Sequence, residues 1–552
     1  MACMLLPTFS IASRAEDTLP SAADIGRIER EQKALPQPQA VSAEAPANSQ
    51  QETVPAPQGS DKLYFVLQGI ELEGAHHYPA AELLEPYNAW IGQEISLKQI
   101  YDAASAILQR YHRDGYAFTS VQVPAQKIDN GRVRIHVTEG FVSRVALKDL
   151  SPNGILAEAE NTIISMRPLH MPTLEELLLM LNDLPGLKVQ AVLEPDAQSQ
   201  EDGALLLNLT GEFTSTGGSA TLDNNGSRYA GIWELTPQLQ YNGLLTDYDK
   251  TVMTGLTSLR MRATAYIALQ HSLQLDLRDS LTVSASLAHS EPGYRLEAED
   301  IRADVDSVAV EFRHVYLRSR EENLSAGIKL DIRDLATDIL GTELYNDRIR
   351  ALRISGTYDT FDRWQGLDLV NMIFSQGLNA LGERPSGSFN LSRVQGRSDF
   401  SKMEWTVSRL QSLNSDWSIY ALTNGQYTTS PLLASEQFGF GGPLIGRAYD
   451  ASELTGDRGA GATVELRYDG VGEIQGAHLQ PFVFYDIGRV WNISRGGESP
   501  SAADAGLGVR FHVLTHLSGS LVTAWPLTRQ PSTPLTSDPD GARALFSMTY
   551  GF

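Results

Sequence analysis

From residue 213 to residue 552 the chain is polar on average, yet it keeps placing an apolar side chain at every second position. Ser272-Leu273-Gln274-Leu275-Asp276-Leu277, the run Leu281 to Leu287, and Ile328-Lys329-Leu330-Asp331-Ile332-Arg333 are the plainest cases. Successive side chains of a strand point to opposite faces, so each stretch would be oily on one side and polar or charged on the other. Two folds accept such strands. A soluble sandwich buries the oily face against a second sheet, whereas a transmembrane barrel turns it to lipid and lines a wet lumen with the charges.

The C-terminus favours the barrel. Phe546-Ser547-Met548-Thr549-Tyr550-Gly551-Phe552 alternates, with large apolar groups at 546, 548, 550 and 552. That is the register expected of a strand that closes a barrel and ends on an aromatic residue. No stretch approaches the 18 consecutive apolar residues of a helical span, but barrels escape that test because only alternate residues meet lipid. The formal net charge of −23 argues against nucleic acid as a partner, because a phosphate backbone would be repelled. The single cysteine, Cys3, rules out an intrachain disulfide framework.

The N-terminal third has a different grammar. Residues 1–15 read as the remnant of a secretory leader, with Met4 to Ala12 apolar and small residues near Ala15, although no basic segment precedes them. Residues 20–35 read as a short amphipathic helix with Ile25, Ile28 and Leu35 on one face. Residues 36–61, rich in Pro, Ala, Gln and Ser, read as a linker. Residues 62–140 then spell β-α-α-β-β. A strand is expected over Tyr64 to Leu72, helices over Pro79–Tyr87 and Leu97–Arg113, and strands over Phe118–Val123 and Val133–Val137, with a turn at Asp129-Asn130-Gly131. Residues 141–212 repeat that order: strand Val142–Lys148, helices Ile155–Ile164 and Thr173–Leu184, and strands Leu187–Leu193 and Ala204–Leu209. Thr173 and Glu176 have the spacing of a capping box. About sixteen strands are expected over 213–552, with short turns such as Asn414-Ser415-Asp416 alternating with long connections such as 429–458.

Two such modules ahead of a sixteen-strand barrel resemble the POTRA-barrel superfamily of outer-membrane translocases and insertases. Within it the chain resembles the two-partner secretion transporters (TpsB). Gly115-Tyr116-Ala117-Phe118, Pro124-Ala125-Gln126 and Val137-Thr138-Glu139-Gly140 are similar to the end of that family's first POTRA module. Asp223-Asn224-Asn225-Gly226-Ser227-Arg228-Tyr229-Ala230-Gly231 is similar to its first hairpin. Two further motifs belong to the whole superfamily. Gly446-Arg447-Ala448-Tyr449 resembles the Arg-Gly-aromatic tip of the sixth extracellular loop, with Ala448 where the family has glycine. Phe484-Tyr485-Asp486-Ile487-Gly488 resembles its Phe-x-Asp-x-Gly wall strand.

The resemblance implies POTRA modules in the periplasm and a barrel in the outer membrane, surrounded by its lipids and inserted by the barrel-assembly machinery. It also implies one large secreted partner exoprotein of haemolysin or adhesin type, threaded through in an extended state. An insertase of the same superfamily and a passive porin remain the alternatives. The loop is expected to fold into the lumen, where the Arg447 guanidinium pairs with Asp486. Phe484, Asp486 and Gly488 share one strand face, and a carboxylate there cannot face lipid, so that face must be luminal. Gly488 leaves room for another segment. If position 448 requires a positive φ, alanine costs about 1 kcal/mol there. The edge of Leu187, Val189 and Ala191, beside Leu174, Leu177, Leu178 and Leu181, is the expected surface for capturing an extended cargo segment. The resting pore is expected to be plugged by 20–35. No cofactor, metal site or catalytic centre is expected: His76-His77 lacks ligand-spaced companions, and neither a phosphate-binding loop nor a Gly-x-Ser-x-Gly elbow is present.

Overall fold

The computed structural model describes residues 25, 38–39, 53–150, 153–260, 263–474, 476–493, 499–513, 516–535, 538 and 540–552. The leader reading at 1–15 and, Ile25 apart, the helix reading at 20–35 fall outside them. The chain forms two compact units, one of residues 43–214 and one of 215–552 together with the N-terminal 42 residues.

In the first unit the β-α-α-β-β order appears twice. Helix Leu97–Arg113 starts and stops where its 3.6-residue apolar period does. Ile100, Ala104, Ile107, Leu108 and Tyr111 bury one stripe against the sheet, and Ser96 and Gln99 close its N-terminus as a reciprocal capping box. Tyr111, deep in that core, donates its phenol to Glu139 Oε1 at 2.6 Å. Burial first and then the carboxylate push the phenol up, so Tyr111 stays a donor throughout the physiological range. Asn130 and Gly131 both take positive φ (57° and 69°), as the Asp-Asn-Gly turn requires. In the sheet of this module, strand Gly69–Glu73 runs parallel to Arg132–Glu139, which pairs on its other edge with Thr119–Gln122. The second module copies this: Phe141–Lys148 runs parallel to the central Ala204–Phe213, and Leu187–Pro195 pairs antiparallel with the same strand on its other side.

Three expectations need correction here. The single strand over Tyr64 to Leu72 is two strands in two sheets. Tyr64–Val66 pairs with Glu94–Ser96, and the Gln68 amide then donates to the Gly131 carbonyl and hands the chain to the second sheet. Pro79–Tyr87 is a helix only over Ala80–Leu84 and tightens to a 3-10 helix over Glu85–Trp90. The second helix of the second module runs Met171–Asp183, two residues earlier than expected at its start. Pro172 is tolerated in the first turn and Thr173 lies inside the helix, so no Thr173–Glu176 capping box exists.

In the second unit sixteen long antiparallel strands among the described residues close a barrel, from Thr216–Asp223 to Arg543–Gly551. At the seam the ladder is completed by Gly218 and Phe552 exchanging amide bonds at 3.0 Å. At its other end Asn224 accepts the Phe546 amide through Oδ1 at 2.6 Å. The period of two holds on the wall. On strand Ala477–Trp491, Val483, Tyr485 and Ile487 point outward and are half exposed, while Phe482, Phe484, Asp486 and Gly488 point in. Met253, Ile267, Val283, Val308, Ile328, Ile354 and Phe374 continue the oily exterior round the barrel. Strand Thr264–Gln274 stops three residues short of the expected alternating run. The reason is Asp276, whose carboxylate accepts the amides of Arg278 and Asp279 and makes Leu275 to Arg278 a turn. Short connections such as Asn414 to Asp416 gather at one end of the barrel, while residues 378–400 and 429–457 include the long connections of the other end.

The N-terminus of helix Gly154–Ser165 is capped by Asn153, whose Oδ1 accepts the Leu156 amide at 3.0 Å. Asn153→Ala should destabilise that helix by about 1 kcal/mol. Hydrogen exchange on the full chain should show its first-turn amides exchanging about five-fold faster, with the barrel amides unchanged.

Candidate functional site

The connection between strands Trp417–Thr428 and Arg458–Tyr468 does not stay outside. Its two arms pair as a small hairpin, Phe438–Phe440 with Leu454–Gly456, which folds into the lumen and packs on the wall. The wall accepts it because side chains are missing there. Gly461 and Gly488 are direct cross-strand neighbours, and the ring of Phe440 lies over both. A Cβ on Gly488 would come within 2.0 Å of Phe440 Cδ2, and one on Gly459 equally close to Phe438 Cδ1.

At the hairpin tip Gly446 takes φ +84°, the one residue of the motif that needs glycine. Ala448 does not have a positive φ, so alanine carries no backbone strain, and the methyl is buried in the cluster of Phe440, Tyr449 and Phe484. Tyr449 is fully buried and donates its hydroxyl to the carbonyls of Ala503 (3.1 Å) and Arg529 (2.9 Å).

Arg447 and Asp486 meet as expected, but their bond is of another kind. The Asp486 carboxylate accepts the backbone amides of Gly446 (2.9 Å) and Arg447 (3.3 Å), and the guanidinium Nε stands 3.8 Å away. The direct partner of the guanidinium is Glu465, at 2.5 Å. Glu465 lies on the neighbouring strand and also binds Arg467 (2.7 Å) and Arg510 (2.9 Å). The Arg447 guanidinium lies over the face of Phe484, 4.1 Å from its centroid, which gives that motif aromatic a cation–π role. Glu465 was not among the residues expected from sequence. Its signal is local: Thr463, Glu465 and Arg467 alternate with outward Val464 and Leu466, which marks it as luminal, but the register that brings it to Arg447 is not written in that strand.

The residues expected to capture cargo lie elsewhere, in the second module. Leu174, Leu177, Leu181, Leu187 and Val189 are buried in its own core and offer no side-chain surface, Leu178 is half-buried, and Ala191 is exposed. The backbone of Leu187–Pro195 is outermost in its sheet, but its first half is already bound: the Asn182 side chain accepts the Val189 amide (2.8 Å) and donates to the Val189 carbonyl (3.2 Å), so the open stretch of this edge lies beyond Val189. Among the described residues no group of acidic, histidine or cysteine side chains has the arrangement of a metal site.

With this geometry in place the comparisons decide the family. The model for the haemolysin secretion/activation protein ShlB/FhaC/HecB matches residues 207–511, and that for the ShlB-type POTRA domain matches 65–140. The chain belongs to that haemolysin secretion/activation family. Among its relatives, the heme/hemopexin transporter protein HuxB of Haemophilus influenzae (strain 86-028NP) is 22% identical over 475 residues, covering 84% of this chain and 83% of that protein. The outer membrane transporter CdiB of Dickeya dadantii (strain 3937) is 23% identical over 386 residues, covering 68% and 67%. The solved structure of CdiB from Escherichia coli superposes with a TM-score of 0.72 at 18% identity, covering 94% of each chain, and so shares the fold. The expected POTRA modules and closed barrel, the outer-membrane location and the resemblance to two-partner secretion transporters are borne out.

Glu465→Gln would leave three arginines around a neutral group in a buried site. Removing one partner of such a cluster destabilises by about 3–5 kcal/mol. The barrel should still fold but lose heat resistance, read as a lower temperature for the mobility shift on gels. Gly488→Leu should displace Phe440 and expose the hairpin to added protease, while Val483→Leu, on the outward face of the same strand, should change neither.

Proposed function

We propose that this chain is the outer-membrane pore of a two-partner system and exports one large partner exoprotein in an extended state. The observation that carries this reading is the barrel interior: a lumen lined by charges and occupied by a folded-in loop that is held by hydrogen bonds and ion pairs beside a local cluster of aromatic rings. Each charge-assisted contact contributes about 1.5–3 kcal/mol, strong enough to hold a loop at rest and weak enough to exchange with a passing chain.

The periplasmic modules are the capture device, through the part of the outer strand Leu187–Pro195 that lies beyond the Asn182 clasp at Val189, by strand addition. The N-terminal segment is the plug. Two observations support the plug. Ile25 is buried against inward-facing Ala288, Ala303, Val305, Leu335 and Tyr345, near the end of the barrel that bears the long connections. The Gln39 amide donates to Asp359 at 3.1 Å, close to the short turn at the other end. Directionality then comes from the cargo folding outside, since no nucleotide-binding element enters the reading.

Co-expression with the partner encoded alongside tests the reading. Export should fall at least ten-fold with Arg447→Ala at unchanged barrel yield, and should vanish when residues 62–212 are removed. Deleting residues 20–39 should raise single-channel conductance in planar bilayers several-fold. Export that survives the 62–212 deletion would refute capture, and unaltered conductance would remove the plug.

A further inference from the structure

The tip motif does not account for how the folded-in loop is held at its root. Before the hairpin begins, a single 3-10 turn, Ala434–Glu436, brings Glu436 against a part of the wall remote in sequence from Glu465 and Asp486. Glu436 is 2% exposed and sits among three cations. Arg353 binds both its carboxylate oxygens (2.8 and 3.3 Å), Lys402 Nζ binds Oε2 at 2.7 Å, and Arg333 stands at 3.6 Å. Asp331, also buried, takes the other edge of the Arg353 guanidinium through Oδ2, at 2.8 and 3.0 Å. The backbone is clasped too, for the Glu436 carbonyl accepts from Lys402 Nζ (3.1 Å) and from the Gln426 amide (3.0 Å).

These wall residues lie on strands Glu322–Ile339, Thr342–Phe361, Ser401–Ser412 and Trp417–Thr428. The tip partners lie on Arg458–Tyr468 and Ala477–Trp491. No residue is shared between the two sets. A carboxylate that brings no oily surface and is fully enclosed by cations is held only while it remains ion-paired, because an unpaired charge there is strongly unfavourable. We propose that Glu436 is a second anchor of the folded-in loop, independent of Arg447, and that it positions the loop for transport by fixing its root to a different sector of the wall. The root and the Arg447 tip are therefore held on separate sectors of the wall, and the tip can be released while the root stays.

The test follows the loop with thiol reporters in full-length protein carrying Cys3→Ser, so that each introduced cysteine is the sole thiol. Ser435→Cys reports on the buried root and Ile445→Cys, equally buried, on the tip; each is labelled with a membrane-impermeant maleimide on intact cells. Glu436→Gln should speed labelling of the root reporter at least ten-fold and leave the tip reporter protected. Arg447→Ala should do the reverse. The idea is overturned if the root reporter stays protected in Glu436→Gln, or if Arg447→Ala alone exposes both. Should Glu436→Gln fail to give a heat-modifiable barrel, Lys402→Met, which removes the wall partner instead, is read in the same way. The positioning role rests on the export reading and is scored separately, since labelling needs no cargo. Export should fall at least ten-fold in Glu436→Gln. Normal export with an exposed root would overturn the positioning role, whereas absence of export from the parent chain would overturn the export reading and leave the anchor standing.

Discussion

Hydrocarbon offers no hydrogen-bond partner, so each backbone amide and carbonyl of a lipid-facing sheet must find one within the sheet itself. That condition admits strands only when the first meets the last. Here Thr216–Asp223 meets Arg543–Gly551, and Asn224 and Phe552 finish the ladder on either side of the shared register. Closure then dictates the rest. Every strand acquires an outer face that must be oily and an inner face that may be charged, and the inner faces together make the chamber in which the loop and Ile25 sit.

The parts legible in the sequence are those governed by a local period. Helix Leu97–Arg113 is readable end to end because its apolar stripe and its caps agree. The inward orientation of Asp486 follows from counting by two. Where the reading slipped, the deciding contact was made elsewhere or by a side chain acting on the backbone. Gly131 divides the stretch from Tyr64 to Leu72, Asp276 turns the chain before Leu277, and Pro172 lets a helix begin ahead of Thr173. Glu465 escaped for a third reason: period tells which face a residue is on, but only register tells which neighbour it meets.

The chamber is held by two different kinds of force. Around Phe438 and Phe440 the fit is steric, large rings seated over glycines. Around Arg447 it is electrostatic, a buried carboxylate shared among three guanidiniums with an aromatic face beneath each of them. Packing of the first kind is short-ranged and fails with a small displacement, while charge attraction in a poorly solvated site reaches further. A loop seated by both returns to one geometry after disturbance: the charges draw it back and the rings set its final position.

The bare patch at Gly459 and Gly488 has a consequence for how such a protein drifts over generations. Any bulkier residue there competes for the volume that Phe438 and Phe440 fill, so neither side of the contact is free to vary alone. Change at this spot proceeds by compensation, a smaller ring arriving with a larger wall residue. Descendants that have shed the aromatic pair should be the ones whose glycines have been replaced.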